Sequence, residues 1–205
     1  MARSATTERA PGRREADAQA TREALISAAL ELFAERGYAE VGTEEIVARA
    51  RVTRGALYHH FQDKRDLFRA AHERVEGELM ERVTARMEST ENPWDLMLTG
   101  MRAFLEACEE PAVKQIALTD APVVLGWREW REIDNEHGLG LTRAALAGGI
   151  EAGALRGVPL DAMSHLLVAA LSEAAFVIAH ADDPAAAREE VEAALVQLLE
   201  GLRAP

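Results

Sequence analysis

Apolar residues recur through most of the chain at helical intervals. Ile26, Ala29, Leu30 and Phe33 follow an i, i+3, i+4, i+7 spacing, which predicts an apolar helical face over about 17–36, ended by Gly37 as a C′ residue. Ile46, Val47 and Ala50 predict a short second helix over 43–50, with Glu44 and Glu45 at the positive end of its dipole. Tyr38 and Val41, between the two, are expected to fold back and close a small core. Thr53 has N-cap chemistry for a third helix, in which Leu57 and Phe61, four apart, fall inward while Arg54, Ala56 and His59 point outward. From Gln62 or Asp63 the series Leu67, Phe68, Ala71, Val75, Leu79 and Val83 continues mostly in steps of three and four toward Met87. This predicts one long helix that packs on the first three at its start and on the rest of the chain at its end. Asn92 and Pro93 mark the break after it.

The second half reads as further helices over about 93–109, 111–119 and 122–154, with Pro111 and Pro122 as punctuation. Gly138 and Gly140 weaken the third of these, and Gly148, Gly149 and Gly153 loosen its end. Leu160 to His180 is apolar on most of its circumference and rich in alanine. Asp183 as N-cap and Pro184 at N1 then open a last helix with a seam of Ala187, Val191, Leu195, Leu198 and Leu202. Two adjacent helices with more apolar surface than one core can bury call for a partner. The expected partner is a second copy of the chain, and the expected interface residues are Leu166, Ala170, Phe176, Val191, Leu195, Leu198 and Leu202. Residues 1–16 carry Arg3, Arg9, Arg13 and Arg14 without apolar periodicity and read as a disordered basic arm, either a plain flexible terminus or a segment that lies along phosphates or in a minor groove.

At 205 residues and 48% hydrophobic content the chain can build a substantial core, and the absence of alternating β-branched runs makes the expected fold all-α. The single cysteine, Cys108, excludes an internal disulfide. No apolar leader opens the chain and no apolar run reaches spanning length, so the expectation is a cytoplasmic protein with no membrane partner. The formal charge is −12, but residues 1–65 carry 11 Lys+Arg against 10 Asp+Glu, leaving 12 against 25 for the remainder. The acidity therefore lies outside the short N-terminal helices, where it keeps the body soluble and would orient the N-terminal part toward a polyanion.

The stretch from Ala48 to Lys64, ARARVTRGALYHHFQDK, combines two short helices and a tight turn with Arg49, Arg51, Arg54 and Lys64, and Arg65 directly after it, against Asp63 alone. A two-turn helix with a polar outer face and basic flanks fits the major groove of duplex DNA. The spacing T-x-G-x-L-Y-x-H-F-x-x-K, here Thr53, Gly55, Leu57, Tyr58, His60, Phe61 and Lys64, resembles the signature of TetR-family regulators. The likeness covers about 20–68 in sequence, and beyond that only in layout. It implies a helix-turn-helix domain over 17–65 and a larger helical ligand-binding and dimerisation domain over 66–205. It further implies Arg54, Ala56 and His59 at base edges, Gly55 allowing close backbone approach, Thr53 reaching base or backbone, and Tyr58, His60 and Lys64 on phosphates. Two positions depart from the family pattern. Gly42 stands where a capping Ser or Thr is usual, with Thr43 as a possible substitute, and Arg51 stands where the tight turn usually has glycine.

Met97, Met101, Phe104, Cys108, Trp127 and Trp130 are natural lining for an apolar pocket in which Asp134 and His137 orient a ligand, although each taken singly also suits a core. No G-x-S-x-G, H-E-x-x-H or glycine-rich phosphate loop occurs. His59 and His60 are adjacent and expected to point apart, poor geometry for a metal, and His165 and His180 suit interface or capping roles. No metal or cofactor is expected. The resemblance implies a homodimeric, ligand-responsive repressor of a palindromic operator, working by population shift through the long helix. A small-molecule-binding dimer with weak or lost DNA binding, a transcriptional activator of the same fold and, with only absent motifs against it, a helical enzyme remain as alternatives.

Overall fold

A computed structural model describes residues 11–204, with side chains from residue 15 onward. The architecture is all-α, and among the described residues the only extended pairing is an isolated bridge between Leu155 and Arg203. Helix α1 spans Pro11–Glu40, broken at Gly37, where φ is 78° and ψ 164°. It starts earlier than the apolar pattern implied, so residues 11–16 are helical and not a disordered arm; proline suits a first helical turn because that turn needs no amide donor. The rest of the expected arm, 1–10, lies outside the described residues.

Helices α2 (Thr43–Ala50) and α3 (Arg54–His60) pack on α1 around Leu25, Ile26, Phe33, Val41, Ile46, Leu57 and Phe61, all buried. Tyr38 closes this core by packing edge-on against Phe68, ring centroids 5.1 Å apart. Asp63 caps the long helix α4 (Lys64–Met87) by accepting from the Asp66 amide at 2.8 Å. Asn92 in turn accepts from Trp94 and Asp95 amides to start α5 (Pro93–Ala107).

The middle of the chain departs from the expected breaks. Val113–Asp120 is a π-helical stretch that runs without interruption into α6 (Ala121–Val124), so Pro122 does not end a helix. In the wider turns of that stretch the Ala121 amide reaches back five residues to the Ile116 carbonyl, and Pro122, with no amide and a bulky ring, is accommodated in the turn that follows. The break falls instead at Gly126, where φ is 81°, a conformation L-residues rarely adopt. Helix α7 (Trp127–Glu151) then passes through Gly138, Gly140, Gly148 and Gly149 and stops just before Gly153.

Helix α8 (Leu160–His180) packs on α5, α7 and α9 (Pro184–Glu200), which Asp183 caps through the Ala186 amide. By length and composition, with mean hydropathy 1.8, α8 is long and apolar enough to cross a membrane, contrary to the expectation that no run would be. Here one face packs into the subunit, with Ser164, Ser172 and Ala175 buried, while the other is free. The expected dimer seam is split by the fold. Leu166 and Leu198 are exposed at 64% and 59%, and Val177 on α8 is exposed as well. Ala170, Phe176, Val191 and Leu202 are half-buried, Phe176 packing against Trp130 at 5.3 Å. Leu195 is buried inside the subunit, in the core cluster that α9 shares with α5 and α8, so it does not belong to an outer seam.

Candidate nucleic-acid interface and internal cavity

The turn between α2 and α3 carries a departure from ordinary backbone preference. Arg51 sits at φ 56° and ψ 39°, the one positive-φ non-glycine among the described residues. The geometry lets its amide reach the Ala48 carbonyl at 3.2 Å and the Val52 amide reach Val47 at 3.0 Å, which closes α2. Its side chain is exposed, with no ion pair or hydrogen bond among the described residues. At the other end of α2, Gly42 offers no capping oxygen, and Thr43 does not replace it, because its hydroxyl donates to Glu44 at 3.3 Å. What remains is the return half of a capping box, with Glu45 accepting from the Gly42 amide at 3.2 Å while paired to Arg36.

In α3 the Thr53 hydroxyl accepts from the Ala56 amide at 3.2 Å, and Leu57 and Phe61 turn inward as their spacing requires. Arg54, Tyr58 and His59 are exposed, and Ala56 and His60 half-buried. Arg54 is held by Glu44 at 3.1 Å and lies over the Tyr58 ring at 5.6 Å. Both partners of that pair are about two-thirds exposed, so water already competes for it and a phosphate or base can take the guanidinium over. A Cβ on Gly55 would meet only the Thr53 hydroxyl, at 3.8 Å, so the fold itself does not require glycine there. The open space is on the outer face. His59 and His60 do not point apart: their rings meet edge-on at 5.2 Å, and burial, followed by His59 and Arg22, pushes the His60 pKa down.

Much of the expected basic cluster is engaged within the protein. Lys64 donates to the Tyr38 carbonyl at 2.6 Å and lies 4.0 Å from the Tyr38 ring, and burial lowers its pKa. Arg49 pairs with Glu31 at 2.8 Å. Arg65 turns away altogether, donating to the Val124 and Leu125 carbonyls at 3.1 and 3.0 Å and to Glu129 at 2.6 Å. With the Tyr38 amide donating to Asp120 at 2.8 Å, these bonds join the N-terminal three-helix unit to the α6–α7 corner.

A cavity of about 100 Å³ lies between α4, α5, α7, α8 and α9. Met97, Met101, Phe104 and Asp134, four of the eight expected pocket residues, line it. The others do not. Cys108 is buried away from it in the main core, where burial pushes its thiol well above the usual range; Trp130 is buried against Phe176, and His137 stands by Gly77. Trp127 is 65% exposed, because Gly126 turns the chain so that the first residue of α7 faces solvent.

The lining also includes residues not expected in a pocket, above all Met80, Ser172 and Glu76, together with Met87 from the end of the long helix and Leu195, which the sequence placed at the dimer interface. Glu76 is buried, and burial, followed by the neighbouring Asp134, pushes its pKa up to about 8. One turn earlier, His72 is fully buried with neither ring nitrogen hydrogen-bonded; burial and His137 push its pKa down to about 4. His72 Nδ1 stands 3.9 Å from Glu76 Oε1. Asp134 pairs with Arg131 at 2.8 Å and accepts from Ser172 at 3.1 Å, yet burial still raises its pKa. The missed signal was His72 and Glu76, i and i+4 on the apolar face of a predicted helix.

Comparison with known proteins follows the same division of the chain. Residues 25–71 match the family model described as bacterial regulatory proteins, tetR family, and residues 94–202 match the tetracyclin repressor-like C-terminal domain. The TetC protein of transposon Tn10 from Escherichia coli is 28% identical over 149 residues, 73% of this chain and 75% of that protein. The HTH-type transcriptional repressor BepR of Brucella suis is 36% identical over 109 residues, about half of each chain. A crystal structure of a TetR-family transcriptional regulator from Pectobacterium atrosepticum superposes with a TM-score of 0.85 at 35% identity, covering 93% of this chain and 97% of that one. RolR in complex with resorcinol shares the fold, with a TM-score of 0.71 at 21% identity and coverage of 90% and 89%.

Proposed function

The chain belongs to the TetR family of bacterial transcriptional regulators, and on that premise we propose that it is a repressor which binds a palindromic operator as a homodimer and is released by a small molecule. In this reading residues 17–65 form the DNA reader and 66–205 the ligand-binding and dimerising part, acting on chromosomal DNA in the cytoplasm. The observation that carries it is one continuous helix, α4, which packs against the reader at Phe68 and lines the cavity at Glu76, Met80 and Val83. A ligand that prefers one position of α4 shifts the spacing of two reader helices across a dimer, and two half-sites one helical turn apart tolerate little change in spacing.

Within the reader, Arg54 and His59 are assigned to base edges with Ala56 between them, and Gly55 to close backbone approach. Tyr58, His60, Thr43 and Arg51 are assigned to phosphates, while Thr53 acts chiefly as the cap that presents them. Lys64 contributes to the phosphate field only by leaving Tyr38. No catalytic step belongs to this function. An electrophoretic shift on DNA upstream of the chain's own gene tests it. Sequence-specific retardation that a small molecule reverses is the expected result, and retardation no stronger than on scrambled DNA would leave a ligand-binding dimer without a reader. Arg54→Ala should relax sequence preference, because an arginine bidentate to guanine is worth about 1–3 kcal/mol of discrimination.

A further inference from the structure

We infer that the cavity takes a lipophilic organic cation, its apolar part lodged among the methionines and its charge set against the Glu76 and Asp134 carboxyls; the inference rests on the ligand-responsive reading above and names the class of ligand.

Glu76 carries the argument. Its side chain is more than nine-tenths buried, it lines the cavity, and it makes no hydrogen bond among the described residues. The groups that act on it are His72 on its own helix, Asp134 on α7 and Cys108 just after α5; behind these stand His137 by His72, and Arg131 and Ser172 by Asp134. Arg131 is the one permanent cation in this set, and it is already committed to Asp134 at 2.8 Å and Ser172 at 3.2 Å. No lysine or arginine lines the cavity. An anionic ligand would therefore meet carboxyls with no free positive charge. A hydrocarbon would leave the Glu76 carboxyl as unpaired as it is now. A cation satisfies it, and a buried charge is tolerated when it gains a partner.

The apolar wall narrows the class to weakly hydrated cations. Met80, Met87, Met97 and Met101 present polarisable thioethers, and Phe104 presents a ring, surroundings that suit a diffuse charge such as a quaternary ammonium better than a compact, strongly hydrated one. A cavity of about 100 Å³ is small for a drug-sized guest, and flexible methionines are the side chains best able to make room for one. Glu76 is largely protonated at neutral pH, its pKa being about 8, so it must ionise as the cation enters. The Glu76 O–H bond breaks and the proton leaves to solvent, close to one per site at pH 7.

The test uses three probes of matched shape on the full-length protein: benzyltrimethylammonium, its uncharged carbon isostere neopentylbenzene, and the anion phenylmethanesulfonate. The cation is expected to bind at least ten-fold more tightly than the isostere at pH 7, with the anion weakest. Calorimetry in buffers of different ionisation heat should show proton release with the cation alone. Glu76→Gln should abolish both the preference and the proton release while leaving neopentylbenzene affinity unchanged, which also reports an intact cavity. Should that variant not fold, proton release by the unaltered protein decides the question. The inference is overturned if the cation fails to bind, if the isostere or anion matches it, if binding releases no proton, or if Glu76→Gln keeps the preference. Operator binding is read separately. A cation that binds with proton release but leaves operator affinity unchanged supports the cavity assignment and overturns ligand-controlled release, whereas release of the operator by some other compound, with no cation binding, does the reverse.

Discussion

Arg65 at the start of α4 donates through Nη2 to the carbonyl oxygen of Leu125 at 3.0 Å, across 60 residues of chain. Together with its bond to Val124 it satisfies two carbonyls at the end of α6, where helical geometry supplies no partner. The reader end of α4 is thus fastened to the corner from which α7 sets out toward the cavity. Arg65→Ala is expected to cost only about 1 kcal/mol of stability, since the guanidinium is partly exposed and water replaces some of what is lost. Its larger effect should be on coupling: the ligand that releases the unaltered protein binds with unchanged affinity but lowers operator affinity less. Operator isotherms with and without ligand check this, and undiminished release would assign the coupling to contacts other than Arg65.

Leu166 on α8 and Leu198 on α9 are the large apolar side chains that the free faces of these helices leave most exposed. The double variant Leu166→Glu, Leu198→Glu is expected to give folded monomers, because neither side chain contributes to the buried core. Leu195→Glu should instead unfold the subunit or block the cavity, since it places a charge at a buried lining position. Sedimentation and thermal unfolding of the two proteins distinguish the cases; a folded dimer from the double variant would move the interface off these helices.

Helix existence, caps and the reader motif were legible because each rests on local chemistry: Thr53, Asp63, Asn92 and Asp183 each cap the helix that follows. Pro122 misled because a proline is tolerated where the preceding turns widen, and the five-residue hydrogen-bond pattern of Val113–Asp120 has no sequence signature. The cavity was half legible. Met97, Met101 and Phe104 share a face of one helix, but Trp127 is excluded by the turn at Gly126, and the burial of Glu76 shows in the sequence only as its place with His72 on the apolar face of the long helix. Lys64 and Arg65 belong to the basic cluster in sequence, but their bonds go to Tyr38 and to the Val124, Leu125 and Glu129 corner, 26 and about 60 residues away, which the local pattern does not reveal.

Arg51 holds its left-handed conformation without a side-chain partner, so two effects can be separated in one variant. Arg51→Gly removes backbone strain of about 1 kcal/mol but adds chain entropy to the unfolded state, and the free protein should be as stable or slightly more so. If the exposed guanidinium meets phosphate in the complex, the variant binds operator more weakly and its salt slope falls by about one unit. Thermal unfolding and binding at several salt concentrations read the two effects independently. Loss of stability contradicts relief of strain, and an unchanged slope means that Arg51 makes no phosphate contact.

The buried pair His72 and Glu76 gives the stability profile a specific shape. Glu76, with its folded pKa raised to about 8 from 4.5, stabilises the fold relative to the ionised chain below pH 4.5, and that contribution is lost as pH rises through 8. His72, with its folded pKa lowered to about 4 from 6.5, contributes above pH 6.5 and loses that contribution as pH falls through 4. Between 4.5 and 6.5 the folded pair and the unfolded pair each hold one proton, whichever residue carries it, so the two slopes cancel. Above 6.5 the unfolded pair has released its proton while the folded pair retains one until about 8, and stability should fall by up to about 1.4 kcal/mol per pH unit over that window. Chemical denaturation from pH 5 to 9 should therefore show little contribution from this pair up to 6.5 and a decline beyond it. In Glu76→Gln the decline should disappear, because glutamine stays neutral in both states. A variant that declines as steeply as the unaltered protein would mean that some other group retains the proton and that Glu76 is ionised in the folded protein.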